Sequence, residues 1–173
     1  MKFDPSIVQS AYQSPLGSMT LAATHAGLAG VWFDGQRHLP AELSAAPGWP
    51  VNPAHPVLKK AAKQLTEYFA GERSAFDLTL DLSGGTAFQQ AVWQALLQIA
   101  TGQTCSYGSI SKTIGNTAAV RAVGAAVGRN PISIIVPCHR ALGADGSLTG
   151  YAGGLDRKTA LLKLEGAIAE NLF

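Results

Sequence analysis

The chain is poor in the residues that staple small proteins or bind metals: its 173 residues include two cysteines, Cys105 and Cys138, and four histidines. There is no C-x-x-C pair, and His25, His38 and His55 fall at no recognisable ligand spacing, so no metal site is expected. Charge is sparse at 14% of residues, yet no apolar run approaches 18 residues, which argues against a membrane-spanning helix and for a globular protein. The stretch MKFDPSIVQSAYQS lacks a positively flanked apolar core, so no secretory leader is expected. We therefore expect reduced thiols and a cytoplasmic address, or a nuclear one in a eukaryote.

What is present suffices for a core without staples, since 47% of residues are apolar, arranged in one domain or two small lobes. The net charge of +2 is uneven: residues 1–82 carry six Lys/Arg against seven Asp/Glu, and the remainder seven against four. An excess of that size does not by itself imply a nucleic-acid surface. Residues 19–35 alternate short apolar runs with glycine breaks, as a hairpin or meander does, and residues 37–56 hold five prolines without a period, as a loop does. Leu58, Ala61, Ala62, Leu65, Tyr68 and Phe69 recur at helical spacing and Gly71 supplies a stop, which predicts an amphipathic helix over 56–69. Strict alternation in FDLTLDL predicts a half-buried strand over 76–82. The SGG that follows divides the chain into lobes 1–84 and 85–173.

In the second lobe Thr86 is a candidate N-cap for a helix whose buried stripe is Phe88, Val92, Trp93, Leu96, Leu97 and Ala100. SYGSISKTIGNTAAVRAVGAAVGRNP then splits into a short helix near 107–114, a Gly-Asn turn and a second helix near 117–128, the layout of a helix-turn-helix. Val120, Val123 and Val127 form the core stripe of that second helix, while Ala118, Ala119, Ala122, Gly124, Ala125, Ala126 and Gly128 leave its other faces nearly bare. A glycine inside a helix costs about 1 kcal/mol relative to alanine, so Gly124 implies either tight helix packing or close approach of a ligand backbone. Arg121 is the one long side chain between Ala118 and Gly128, suited to insertion into nucleic acid or to a surface ion pair.

The stretch IIVPCHRALG places Cys138 after an apolar run, 132–136, that reads as a buried strand stopped by Pro137. A free thiol, with a pKa near ~8.5, is mostly protonated at neutral pH, and His139 is the adjacent base. Neighbours in an extended chain face opposite ways, so the two cooperate only if the chain turns there or a water bridges them. Cys105, in GQTCSYG, reads as inert packing.

Three separated motifs, SYGSISKTIGNTAAVRAVG, NPISIIVPCHR and LTGYAGGLDRKTALLKLEGA, resemble the O6-alkylguanine-DNA alkyltransferases over about residues 88–166, and SPLGSMTLAAT and LTEYFAGE resemble that family's first lobe more loosely. The resemblance implies an α/β fold: a small ribonuclease-H-like N-terminal α/β lobe, followed by a mostly helical, winged helix-turn-helix alkyltransferase lobe. It implies irreversible, stoichiometric transfer of an alkyl group from O6 of guanine to Cys138, with O4 of thymine as a further target to test. His139 would act as base through a water, Glu165 would orient the imidazole, and Asn130 would fix the turn and the water. Tyr107, Gly108, Asn116 and Arg121 would contact DNA, Tyr107 and Arg121 serving nucleotide flipping, while Ala141, Tyr151 and Ala152 would join Tyr107 in the guanine pocket. Double-stranded DNA carrying O6-alkylguanine is then the partner, the protein is expected as a monomer without cofactor or metal, and cooperative coating of DNA is left open.

Some relatives have serine where Ala152 stands, and the zinc ligands that others carry in the first lobe have no counterpart here. Two rival classes are an alkyltransferase-like protein that binds damaged bases without repair, against which Cys138 argues, and a cysteine hydrolase with a Cys-His-Glu relay, for which no oxyanion-hole motif is present.

Overall fold

A computed structural model describes residues 1–169, so residues 170–173 of the expected second lobe lie outside the described residues. The chain divides into two compact units, Met1–Thr86 and the remainder from Ala87.

The first unit is an antiparallel meander, β1 (Val8–Ser14), β2 (Gly17–Thr24) and β3 (Gly27–Phe33), with helix α1 (Pro56–Phe69) packed on all three strands. The first hairpin closes with Ser14 opposite Gly17, and Ser14 Oγ stitches the turn by donating to the Gly17 carbonyl at 2.7 Å. Strand β3 is buried along its whole length. Leu58, Ala61, Leu65 and Tyr68 bring the buried stripe of α1 to the sheet. A second cluster gathers Ile7, Ala22, Ala29, Trp32 and Trp49, with Phe3 edge-on to both indoles. The helix begins where His55 accepts a hydrogen bond from the Val57 amide and Pro56 opens the first turn.

The strand expected over 76–82 is reduced to a single parallel bridge at Leu80, although its side chains keep the alternation of half-buried and exposed positions. The segment is bridged to β3 at Leu28, whose amide donates to the Thr79 carbonyl at 2.9 Å and whose carbonyl accepts from the Asp81 amide at 2.7 Å. Gly27 permits that approach, because at its φ of 145° a Cβ would lie 2.5 Å from the Thr79 oxygen.

The second unit is built on α2 (Ala87–Leu96), α3 (Tyr107–Thr113), α4 (Val120–Gly128) and α5 (Leu155–Leu164), with two short parallel strands, β4 (Cys105–Ser106) and β5 (Ala141–Leu142). Helix α2 ends before the last positions of the expected stripe, and Leu97 and Ala100 sit in the turns after it. It packs on α3 and α4, and its buried Trp93 donates from Nε1 to the Ala126 carbonyl at 2.9 Å. Helix α4 starts at Val120, not near 117, and Val120 is 41% exposed; Val123, Ala126 and Val127 form the core face instead. The fully buried Ser111 ties down the turn between α3 and α4, donating from Oγ to the Asn116 carbonyl and accepting from the Asn116 amide on its own carbonyl at 3.0 Å. Among the described residues, no helix is long and apolar enough to cross a membrane.

Candidate active site

The run 132–136 is not a strand. It is a tight turn, with the Ile135 amide bonded to the Ser133 carbonyl at 2.9 Å and the Val136 amide to the Ile132 carbonyl at 2.9 Å. The buried Asn130 side chain dictates this, accepting from the Ile132 amide at 2.9 Å and donating to the Val136 carbonyl at 2.7 Å. The turn places Ile134 at φ 74°, a left-handed conformation that costs a β-branched residue about 1–3 kcal/mol. Beyond Pro137 the chain enters a 3-10 turn, Cys138–Arg140, so Cys138 and His139 are not on opposite faces of an extended strand.

All three residues of that turn are buried, His139 completely. His139 Nε2 lies 2.8 Å from Glu165 Oε2, and because an ionised carboxylate only accepts, Nε2 carries the proton. Nδ1 is then the basic nitrogen, and it is buried with no hydrogen-bond partner among the described residues. Burial pushes the His139 pKa down, against the hydrogen bond and charge of Glu165, while the charges of Arg140 and Lys158 push the same way as burial. Burial likewise pushes the Cys138 thiol up, with Asn130 and Lys158 pulling it back, so the resting sulfur holds its proton and needs a base.

Glu165 follows the last turn of α5. The Ala167 amide bonds to the Leu162 carbonyl at 2.9 Å and the Gly166 amide to the Lys163 carbonyl at 3.0 Å, a Schellman stop with Gly166 at φ 74°. The carboxylate is 1% exposed and is gripped from the other side by Arg140, Nε to Oε1 at 2.8 Å and Nη2 to Oε2 at 2.9 Å. Lys158, also on α5 and fully buried, donates from Nζ to the carbonyls of Ala141 at 2.6 Å, Thr149 at 2.9 Å and Gly150 at 3.2 Å. Burial lowers its pKa to about 8.

The parallel pairing of Cys105 with Ala141 and Ser106 with Leu142 runs β4 alongside the strand that leaves the Cys138 turn. Tyr107, the next residue, opens α3, and its hydroxyl donates to the Thr149 carbonyl at 3.3 Å, the same oxygen that Lys158 holds. Tyr151 is buried with its hydroxyl unpartnered among the described residues, Ala141 is fully buried and Ala152 half-buried. Asn130, Cys138, His139 and Glu165 thus converge, and Tyr107 and Ala141 meet through Lys158. Asn116 and Arg121 are exposed and share no hydrogen bond with the buried relay among the described residues. Gly108 is half-buried in the first turn of α3. Cys105 is half-buried rather than packed away, and both thiols are free. Among the described residues no group of three or more His, Cys, Asp or Glu could hold a metal ion.

Two family models match the chain: a 6-O-methylguanine DNA methyltransferase ribonuclease-like domain at residues 7–82 and the corresponding DNA binding domain at residues 87–167. A methylated-DNA–protein-cysteine methyltransferase of Methanosarcina acetivorans is 48% identical over 157 residues, covering 90% of this chain and 96% of that one. The chain belongs to the 6-O-methylguanine DNA methyltransferase family. Its members include a Mycobacterium tuberculosis methylated-DNA–protein-cysteine methyltransferase, 50% identical over 152 residues and 88% of each chain. The M. tuberculosis OGT in complex with DNA has TM-score 0.83 at 48% identity, covering 91% of this chain and 92% of that one. The two matched domains follow each other as a ribonuclease-like domain and a DNA binding domain, the order that the resemblance implies.

Arg140 and Lys158 were not singled out from the sequence, because long cations are normally solvated. A signal was available on α5: Lys158, Leu161, Leu162 and Glu165 fall at i, i+3, i+4 and i+7, so the buried leucines carry both charges onto one inward stripe.

Proposed function

We propose that this protein repairs DNA by taking an alkyl group from O6 of guanine directly onto Cys138. The observation that carries this reading is the buried relay: Cys138 and His139 share one 3-10 turn, His139 Nε2 lies 2.8 Å from Glu165 Oε2, and Nδ1 is buried without a hydrogen-bond partner among the described residues. The Cys138 proton passes, through a water, to His139 Nδ1. The sulfur then attacks the alkyl carbon, the S–C bond forms as the C–O6 bond breaks, and the electron pair left on guanine takes up a proton from solvent, to which His139 returns the one it accepted. The thioether has no leaving route, so each chain acts once. Intact mass after mixing with O6-methylguanine duplex tests this: one methyl per chain is expected, and no gain, or turnover beyond one equivalent, overturns it.

O6 lies inside the duplex, and extruding the nucleotide costs a few kcal/mol. Helix α4 suits the approach this demands. A Cβ at Gly124 or Gly128 would meet nothing within 4 Å, so packing within the protein does not require these glycines, which supports the close approach of a nucleic-acid backbone to the face they share with Ala125. Arg121, exposed on α4, would fill the vacated stack; Asn116 and Gly108 would hold the backbone; Tyr107 would turn the nucleotide; and Ala141, Tyr151 and Ala152 would line the guanine site. Arg121→Ala is therefore expected to slow repair of duplex DNA about tenfold or more while leaving reaction with free O6-benzylguanine near wild type, because the free base needs no extrusion. Equal losses on both substrates would make Arg121 structural.

A further inference from the structure

We propose that Arg140 is a positioning residue whose two-point grip on Glu165 holds His139 as an uncharged base. The inference rests on the proposed role of His139 in transfer to Cys138. Its geometry is a shared carboxylate: Arg140 Nη2 and His139 Nε2 both touch Glu165 Oε2, at 2.9 and 2.8 Å, while Arg140 Nε takes Oε1. Arg140 is itself fixed, with Nη1 on the Ile99 carbonyl and Nη2 on Thr101 Oγ1 at 3.1 Å, so the turn after α2 holds the guanidinium in place. Such a planar fork is what arginine offers a carboxylate and lysine does not.

Charge explains why the relay needs it. Glu165 sits at the C-terminal end of α5, where the helix dipole opposes a carboxylate, and is 1% exposed, so water does not stabilise its charge. Without the Arg140 guanidinium, that carboxylate would draw a proton onto the imidazole more strongly, and an imidazolium has no lone pair for the Cys138 proton. Arg140 supplies the counter-charge instead. Glu165 then orients the ring and still steadies the imidazolium once it forms. Among the described residues, the other titratable groups at the relay are Cys138 in the same turn, Lys158 of α5, whose ammonium is spent on three carbonyls, and the buried Tyr151, whose phenol burial keeps uncharged beside Cys138 and Glu165; α2, also packed on the turn, brings no ionisable side chain.

The test is single-turnover transfer from O6-methylguanine duplex across pH in the full chain. Removing a cation this close to the carboxylate is expected to move the midpoint of the acid limb up by about 1 pH unit or more in Arg140→Gln, a roughly tenfold loss on the acid side that is recovered in alkali. Arg140→Lys, which keeps the charge but not the planar two-point fork, is expected to restore the midpoint only in part. A loss in Arg140→Gln that is uniform across pH overturns the inference. Nitrogen-15 NMR of the His139 ring in the wild-type chain gives a second readout that needs no folded variant: a neutral ring protonated at Nε2 is expected at about pH 7, and an imidazolium there overturns it. Transfer that persisted in Cys138→Ser would instead overturn the proposed acceptor, leaving the His139 titration to judge Arg140 separately.

Discussion

Cys138→Ser is expected to abolish alkyl transfer while leaving duplex affinity close to wild type. Cys138 is 5% exposed and its thiol is held protonated by burial, so the site already depends on a base to free the sulfur. A serine hydroxyl in the same place is a far weaker acid, and an imidazole that can deprotonate a thiol through water cannot generate an alkoxide at a useful rate without an oxyanion-type site to assist it. The fold should survive. The substitution is nearly isosteric, and the added hydroxyl lies beside the Asn130 amide, so the cost is about 1–3 kcal/mol at most. The proposed DNA contacts lie on α3, α4 and the turn between them, outside the Cys138–Arg140 turn, so binding is expected to be retained. The check pairs intact mass with a duplex titration. A methyl still gained by Cys138→Ser would move the chemistry, with Cys105 next, since that residue is half-buried and its strand β4 pairs with β5 at Ala141.

The parts of this fold that were legible in the sequence are those where a period and a terminator agree. Helix α1 is one, running from Pro56 to the stop at Gly71; the β2–β3 hairpin is another. Strand β1 was hidden because two of its inward positions are Ser10 and Ser14, so burial there does not follow hydrophobicity. The run 132–136 was misread because a buried turn and a buried strand are both short and apolar, and one side chain outside the run, Asn130, decides between them. At the site, Cys138 and His139 were visible as residue types, but the bend that lets them cooperate came from the 3-10 turn. Gly124 left packing and ligand approach open, and the empty space around it removes the first.

Glu165→Gln is expected to damage both the relay and the fold, and the two losses separate cleanly. From the sequence alone, KLEGA reads as a helix end with a solvated glutamate; it does end α5, yet the carboxylate is buried and carries two partners. Exchanging it for an amide leaves Arg140 charged and buried without the negative charge of Glu165, a change expected to cost about 3 kcal/mol and to be read as a shift in the urea midpoint without a change in slope. Glutamine still accepts from His139 Nε2, so the ring keeps its tautomer, but nothing then steadies the imidazolium that forms as the thiol gives up its proton. The transfer rate per folded chain is expected to fall by roughly 10²-fold, the lower range for a positioned general base. The loss should be flat across neutral and alkaline pH, because removing the anion makes protonation of His139 harder rather than easier. Arg140→Gln has the opposite signature, a loss confined to the acid side. Single-turnover rates measured on both variants over one pH series therefore distinguish a carboxylate that supports the forming imidazolium from one that only ties α5 to the Cys138 turn: wild-type rates at every pH in Glu165→Gln, with the stability loss still present, would leave Glu165 with the second role alone.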